Sequence, residues 1–384
     1  MTTAPLGNVR VLDLSAFGPG ARATRWLADY GAVVVKIESI STRDVEAPYY
    51  AYGGGRGFRR IELDLKSPAG KEALLKMSES ADVIIESFRP GVVARLGIDY
   101  EAVSARNPKI IYCSISGYGQ GSAAAGWVGH DLGYLGVGGY LFNSGRDGHM
   151  KPVIPGTTLA DAAGGGMHAV MAISVALFAR EQSGEGTYLD VSVADGVLAL
   201  MSLAVDEHLA TGITPSPGST LLTGRYACYG IYRCQDGKDL VVAAIEPRFW
   251  RNICNLLGLD QFADVQNDDG AQPLIRAALG EVFLGRTRDE WVDLLAPADT
   301  CVAPVYALDE VTTSPIFADR DIFVPADHPE HGRFTQIGAP LAGSAAVRTP
   351  VRLERHTTDA HGLLGEAGMT DEEIDALIED GVVC

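Results

Sequence analysis

The sequence predicts an α/β protein, with a large domain built on a Rossmann-like parallel sheet and a small α+β domain. Near the start of the 384-residue chain, apolar runs at residues 9–14 and 32–38 flank a helical segment at residues 21–30. A strand–helix–strand unit of this kind is typical of parallel sheets, which occur in α/β folds. Further apolar runs at residues 81–86 and 109–116 predict a third and a fourth strand.

The second half of the chain changes character. Two short strands are predicted at residues 229–234 and 239–244, on either side of Gln235-Asp236-Gly237-Lys238, which is a hairpin pattern. A helix is predicted from Pro247 to Leu257. The predicted organisation is therefore a large domain over residues 1–195, a connector 196–222, the small domain 223–300, a connector 301–325 and a return to the large domain over 326–384.

Composition limits the possible partners. The formal net charge is −18, which disfavours nucleic acid and anionic membranes as partners. The six cysteines are scattered with no C-x-x-C pair, which argues against a zinc site and a disulfide framework. The chain does not open on a signal-like segment, so we expect a cytoplasmic location. Residues 56–95 are locally basic, with eight basic and six acidic residues, as suits a phosphate-bearing ligand.

The run at residues 162–178 is nearly all apolar and long enough to raise the question of a membrane span. It contains His168 and Ser174 and is rich in glycine and alanine. We therefore expect a buried core helix or a dimer-interface helix.

Two candidate bases each lie beside a segment of small residues. His130 follows a glycine-rich turn at residues 116–121, and Asp161 precedes Ala162-Ala163-Gly164-Gly165-Gly166. Small residues allow a ligand to approach the backbone closely. A different site is indicated by Gly18-Pro19-Gly20-Ala21-Arg22-Ala23, which fits the dinucleotide pattern G-x-G-x-x-A, with Glu38 at the end of the next strand. A plain strand-to-helix turn has the same pattern.

Five short motifs occur together in the order and spacing of a known family. The chain resembles the family III CoA-transferases (CaiB/BaiF superfamily), and within them most closely the α-methylacyl-CoA racemases. The resemblance extends from Leu6 to about Pro340. The motifs are Leu27-Ala28-Asp29-Tyr30-Gly31-Ala32, Leu63-Asp64-Leu65-Lys66-Ser67, Phe88-Arg89-Pro90-Gly91, Gly117-Tyr118-Gly119-Gln120 and Ala194-Asp195-Gly196.

Two further motifs resemble the racemase branch. They are Gly129-His130-Asp131, where the transferases usually carry Tyr at the middle position, and Ala244-Ile245-Glu246-Pro247. The resemblance implies that His130 and Asp161 are the two bases that move the α-proton of a 2-methyl-branched acyl-CoA, with Asp131 and Glu246 as supporting partners. Backbone N–H groups near Gly129 would donate to the enolate oxygen. In the transferases, the residue that matches Asp161 is the nucleophile.

The resemblance also implies a CoA site and no metal or redox cofactor, since CoA is part of the thioester substrate. Arg95 is the best phosphate partner by charge. Two departures bear on substrate details: Ser39-Ile40 stands where a basic residue or proline is usual, and Arg225-Tyr226 replaces part of a G-G-A-P motif. The expected CoA-binding residues are Leu63, Asp64, Leu65, Lys66, Ser87, Phe88, Arg89, Pro90, Gly91, Arg95, Gly129 and Tyr134.

The sequence leaves several functions open. The main interpretation is an acyl-CoA racemase of lipid metabolism that forms an interlocked homodimer, as the family's chains do. The alternatives are a CoA-transferase that uses Asp161 as nucleophile, a CoA-binding protein without catalysis, and a nicotinamide-dependent oxidoreductase built on the turn at Gly18.

Overall fold

A computed structural model describes residues 4–40, 52–53, 57–320, 322–340, 351–352 and 357–384. The chain packs as two units. The first unit contains Met1–Tyr140, Ile154–Leu203 and Pro315–Cys384, and the second contains Leu141–Val153 and Ala204–Ser314. The domain bounds drawn from the sequence at 195, 222, 300 and 325 stay predictions.

The first unit is built on a six-stranded sheet in the order β3-β2-β1-β4-β5-β6, and all neighbouring strands run parallel. This is the doubly wound Rossmann order, so the predicted fold class is confirmed. The strand order reverses between β1 and β4. Folds of this kind bind ligands at that point, beyond the carboxyl ends of the strands. The strands are β1 (Arg10–Asp13), β2 (Val33–Glu38), β3 (Arg59–Glu62), β4 (Val83–Glu86), β5 (Ile111–Ser116) and β6 (Thr187–Ser192).

Helices connect these strands, and several start where the sequence provides a cap. In α2, Ser67 accepts the N–H of Gly70 and Pro68 occupies the first turn, as the sequence predicts. The helices of this stretch are α1 (Pro19–Asp29), α2 (Pro68–Ser78), α3 (Val92–Leu96), α4 (Tyr100–Ser104), α5 (Asp131–Val137), a π-helix (Ala160–Met167), α7 (His168–Ser183) and α8 (Val193–Leu200). Two more, α6 (Tyr140–Asn143) and α9 (Ser202–Thr211), run across the boundaries between the units.

The chain returns to the first unit through α14 (Pro315–Ala318). A three-stranded sheet follows, in the order β11-β10-β12, from β10 (Phe323–His328), β11 (Gly332–Ile337) and β12 (Val351–Arg352). Then come α15 (Ala360–Glu366) and α16 (Asp371–Glu379), whose start is the predicted capping box of Thr370 and Glu373. These last helices pack on the main core, with Leu364 and Ile374 fully buried.

The second unit has an antiparallel sheet in the order β7-β8-β9, covered by helices. Its core includes Trp250 and Trp291, whose indole N–H groups donate to the carbonyls of Phe262 and Phe283, both at 2.9 Å. The predicted hairpin and the helix after it are present. The elements are β7 (Tyr229–Arg233), β8 (Asp239–Ala243), β9 (Val302–Pro304), α10 (Pro247–Leu257), α11 (Gln272–Phe283), α12 (Arg288–Leu295) and α13 (Leu308–Thr313).

Three local predictions need correction. No strand is predicted from the sequence at Arg59–Glu62, where the structure has β3. The strands predicted as third and fourth are therefore β4 and β5. The predicted connector 196–222 contains the end of α8 and all of α9, which are separated at Met201. The stretch predicted as a plain connector contains β9, α13 and α14. These elements are short, and neither a 3.6-residue nor a two-residue apolar period extends far enough in them to be seen.

A buried charge pair lies beneath the carboxyl ends of β1 and β2. Asp13 and Lys36 are register partners, so their side chains lie on the same face of the sheet. The Lys36 Nζ lies 3.2 Å from Asp13 Oδ2 and also donates to the carbonyl oxygen of Ser15. The other oxygen of Asp13 accepts from the backbone N–H of Ser15 at 2.8 Å and from its hydroxyl at 2.6 Å. All three residues are buried.

Removing one partner of this pair is expected to be costly. We expect Lys36→Met to lower the free energy of unfolding by about 3–5 kcal/mol, because it leaves the Asp13 carboxylate buried without its cation. Arg106→Met is the control, since Arg106 pairs with Glu72 at the surface and such pairs contribute about 0–1 kcal/mol. Urea unfolding measures both. Equal losses in the two variants would contradict the assigned role of Lys36.

Candidate functional site

The candidate site lies in the first unit, at the turn that follows β1. Gly18 has φ 71° and ψ −136°, a conformation open to glycine and strained for other residues. A Cβ atom at Gly18 would lie 3.4 Å from Asp161 Oδ2. The carboxylate of Asp161 therefore lies against the backbone of the turn, at the point where the strand order of the sheet reverses.

Asp161 is the second residue of the π-helix, Ala160–Met167. The glycines of this helix allow close packing on both sides. A Cβ at Gly164 would lie 2.9 Å from the carbonyl oxygen of Val193 on α8, and one at Gly165 would lie 2.5 Å from Pro19 on α1. The π-helix is thus held between α1 and α8 by backbone contact. π-helical segments are rare and occur frequently at functional sites.

His130 and Asp131 begin the neighbouring helix. His130 is the N-cap residue of α5, its backbone is extended (φ −131°, ψ 174°), and its side chain is exposed and makes no cap hydrogen bond. Asp131 is the first helical residue, and its Oδ1 accepts the backbone N–H of Asp161 at 2.8 Å. The structure therefore brings three of the four predicted catalytic residues together, with Asp131 linking the start of α5 to the start of the π-helix.

An aromatic cluster supports the His130 segment. The Tyr134 hydroxyl donates to the carbonyl oxygen of Gly129 at 2.7 Å. Tyr118 packs edge-on against Tyr134 with ring centroids 5.2 Å apart, and its other side meets Trp127. A Cβ at Gly129 would lie 2.8 Å from the Tyr118 hydroxyl and 2.8 Å from the Tyr134 ring, so a larger residue there would have to displace these side chains. Gly129 and Tyr134 thus hold the backbone that presents His130.

The surroundings of Asp161, burial first among them, raise its affinity for a proton. Burial raises the pKa of the Asp161 carboxyl, and the nearby Asp131 raises it further, while Arg22 and His130 act in the opposite direction. Burial, with a smaller effect of Asp161, also raises the pKa of Tyr134 to about 12. A raised pKa moves a carboxyl toward the protonated form that a general acid needs.

The predicted CoA segments follow two strands of the same sheet edge. Residues 63–66 come directly after β3, and residues 87–91 come directly after β4, at the point where the strand order reverses. Leu63 is fully buried and pairs with Val383, and its N–H donates to the carbonyl oxygen of Glu38 at 2.9 Å, so this predicted CoA residue is part of the core. Leu65 and Phe88 also pack against the core.

The polar members of these segments differ in exposure. Lys66, Arg89 and Arg95 are exposed, and Asp64 and Ser87 are half-buried. Arg95 lies in the last turn of α3, which starts after Gly91 in the left-handed conformation (φ 81°). Three cations are therefore present on or beside the two loops that the sequence analysis assigned to CoA, while Pro90 and Gly91 shape the turn between β4 and α3.

Glu86 is a buried carboxylate that the sequence analysis did not single out. It ends β4, and its Oε2 accepts the N–H of Phe88 at 2.7 Å, so it shapes the start of the 87–91 loop. Burial raises its pKa. The sequence signal that could have identified Glu86 is a carboxylate at the end of an apolar strand. Glu246, the fourth predicted catalytic residue, lies in the second unit, where it is the exposed N-cap residue of α10.

Comparison with known proteins identifies the family. The sequence profile described as CoA-transferase family III matches residues 6–357. The chain belongs to this family. It is 33% identical to human alpha-methylacyl-CoA racemase over 98% of this chain and 97% of that protein. It is 30% identical to the acetyl-CoA:oxalate CoA-transferase of Acetobacter aceti over 83% of this chain and 85% of that protein.

A solved structure is similar as well. The crystal structure of a CAIB/BAIF family protein from Brucella suis matches with a TM-score of 0.75 and 26% sequence identity, covering 96% of this chain and all of that one. Both isomerases and transferases are therefore among the family III relatives, and an acyl-CoA substrate fits the family. In this fold, the turn at Gly18 packs against a carboxylate, which would repel the pyrophosphate of a dinucleotide.

Proposed function

We propose that the protein is a racemase of 2-methyl-branched acyl-CoA thioesters, with His130 and Asp161 as its two bases. The observation that carries this proposal is the connection between them: Asp131, next to His130, accepts the N–H of Asp161. Two different proton carriers are thereby held on two different helices at one site. Proton exchange at a stereocentre needs a base for one face of the carbon and an acid for the other.

The proposed reaction is an exchange of one proton for another. One base removes the α-proton of the thioester and leaves an enolate. The conjugate acid of the other base then delivers a proton to the opposite face, which inverts the centre. The Gly133 N–H already donates to the carbonyl oxygen of His130 at 2.8 Å. The N–H groups of Asp131 and Leu132 precede the helix's own hydrogen bonds by position and would stabilise the enolate oxygen. The protein's own side chains supply each proton transfer, so we propose that no cofactor is needed beyond the CoA of the substrate.

The second candidate function is CoA transfer between carboxylic acids, with Asp161 as nucleophile. It is supported by the transferases among the similar proteins. Asp161 has to be ionised both as the nucleophile of a transferase and as a base of a racemase, so its charge does not separate the two functions. The resemblance of Gly129-His130-Asp131 to the racemase branch favours the racemase. The proposed roles of Glu246, a supporting carboxylate, and of the CoA loops rest on the family resemblance.

Deuterium exchange separates the two functions. A 2-methylacyl-CoA is incubated in deuterium oxide without an acceptor acid. Wild type is expected to introduce deuterium at the α-carbon and to invert the centre. His130→Ala and Asp161→Ala are each expected to abolish inversion, and each retains exchange of one enantiomer through the remaining base. His149→Ala, an exposed histidine of the second unit, is the control and keeps full activity.

The opposite result identifies a transferase. If wild type exchanges no deuterium but moves CoA onto an added carboxylate and becomes acylated at Asp161, the racemase proposal is wrong.

Arg95 is proposed to bind a phosphate of CoA. We expect Arg95→Ala to weaken CoA-thioester binding by about 1.5–3 kcal/mol, the range for a hydrogen bond to a charged group. Arg251→Ala, which removes an exposed arginine of the second unit, is the control and leaves affinity unchanged. Titration calorimetry measures both. Equal losses of affinity would show that the phosphate site is elsewhere.

We also propose that the protein is an obligate homodimer. Among the described residues, the helical stretch Ala160–Ser183 is the one that meets the length and apolarity of a membrane span, with mean hydropathy 1.6. From the end of the π-helix through α7, the stretch exposes a stripe of apolar side chains at helical spacing: Met167, Met171, Val175 and Phe178. A second copy of the chain is the partner we propose for this stripe. Cytoplasmic location, and the lack of nucleic-acid and membrane partners, stay predictions.

Light scattering tests the dimer. Wild type is expected to have the mass of two chains at all concentrations where it is active. Val175→Glu, at the centre of the stripe, is expected to weaken association, while Glu181→Gln on the same helix leaves it unchanged. A stable, active monomer, or binding of wild type to neutral lipid vesicles through this helix, would overturn the proposal.

A further inference from the structure

Arg22 is a cation beside Asp161 for which the proposed reaction has no role so far. It lies on α1, on the side that packs against the π-helix. A Cβ at Gly166 of the π-helix would lie 3.2 Å from Arg22 Cβ and 2.8 Å from the ring of Trp26. The glycine at position 166 therefore lets the backbone of the π-helix approach the base of the Arg22 side chain.

The guanidinium holds the turn that leads into the π-helix. Its Nη2 donates to the hydroxyl of Thr158, three residues before Asp161. The carbonyl of Thr158 in turn accepts the N–H of Ala162 at 3.1 Å, so Thr158 belongs to the first turn of the helix that carries Asp161. The Nε of Arg22 is buried and has no hydrogen-bond partner in the part of the protein that the structure describes. The guanidinium thus has a remaining donor inside the site.

Four ionisable groups surround the Asp161 carboxyl, from two elements. Asp131, His130 and Tyr134 face it from α5 and its start, and Arg22 faces it from α1. Asp131 favours the protonated carboxyl, and Arg22 and His130 favour the carboxylate. His130 is uncharged before it acts as a base and becomes charged when it accepts the proton, whereas an arginine stays charged at all relevant pH values. Arg22 is therefore the permanent cation among these four groups.

We propose that Arg22 is a positioning residue: it holds the turn at Thr158 that leads into the π-helix and places a permanent cation beside the Asp161 carboxyl. The inference rests on the proposed function, in which Asp161 must alternate between acid and base. Without Arg22, burial and Asp131 would act on Asp161 with less opposition, and the pKa of its carboxyl would rise further. The two bases would then share their proton unequally, and fewer enzyme molecules would be in the form that accepts a proton at Asp161.

The direct test is a titration of Asp161 in the substrate-free protein. Carbon-13 NMR of aspartate-labelled protein follows the carboxyl, and Asp161→Asn assigns its signal. We expect Arg22→Gln and Arg22→Met to raise the pKa of Asp161 by roughly 1 unit, the low end of the effect of a neighbouring opposite charge. Arg22→Lys keeps the positive charge and is expected to leave the titration near that of wild type. Thr158→Val removes the hydrogen bond and keeps the cation, so it has no such effect.

The functional readout is the pH profile of kcat/KM for α-deuterium exchange. In the proposed reaction, the pH values at which kcat/KM rises and falls are set by His130 and Asp161 as a coupled pair. A higher proton affinity of Asp161 is expected to move the profile of Arg22→Gln and Arg22→Met to higher pH, for both enantiomers. Arg22→Lys restores the wild-type position. Arg251→Gln, an arginine of the second unit, is the charge-matched control and leaves the profile unmoved.

The two readouts distinguish failure of this inference from failure of the proposed function. An unchanged Asp161 titration in both neutral variants, or an equal shift in Arg22→Lys, overturns the role of Arg22, whatever the reaction is. If Arg22→Gln and Arg22→Met do not fold, Arg22→Lys decides the question. An Asp161 titration that shifts in this variant overturns the role of Arg22, and one that matches wild type supports it. If the titration shifts as expected but wild type exchanges no deuterium, the racemase proposal fails while the electrostatic role of Arg22 stands.

Discussion

The buried contact between Lys36 and Asp13 is the interaction on which the site depends. It joins β2 to β1 beneath the carboxyl edge of the sheet, and Asp13 and Lys36 together bind the backbone and hydroxyl of Ser15. These bonds fix the direction in which the chain leaves β1. Gly18 comes three residues after Ser15 and lies against Asp161. The buried pair of Lys36 and Asp13 thus determines where the Asp161 carboxyl meets the backbone of the turn.

Glycines at the close contacts between helices are the second constraint on the site. The π-helix contacts α1 and α8 through Gly164, Gly165 and Gly166, and the His130 segment reaches its aromatic support through Gly129. At each of these positions a Cβ would require its neighbours to move. The site is therefore assembled from backbones held close together, and the side chains that remain are those with chemistry: a histidine, two carboxylates, a tyrosine and an arginine.

Much of the fold could be predicted from the sequence, because the first strand–helix–strand unit and the strands β4 and β5 are continuous apolar runs. The strand β3 escaped prediction since Arg59, Arg60 and Glu62 give it a polar sequence. Arg60 is buried next to Lys36 and bonds Glu38 across the sheet, a pairing that no local pattern shows. His130 and Asp161 were identified as candidates by their motifs. Their link through Asp131, and the approach of Arg22 from α1, depend on how distant helices pack, and local sequence carries no signal for either.

The π-helix has a consequence for how the length of this segment can vary between related proteins. A π-helix accommodates an additional residue within a helical turn, and each residue of an α-helix turns the chain by about 100°. Deleting one residue between Asp161 and His168 would return the stretch to α-helical spacing. Asp161 would then rotate away from Gly18, while α7 kept its place. The segment is therefore constrained in its length as well as at Gly164, Gly165 and Gly166, where a Cβ would meet neighbouring atoms.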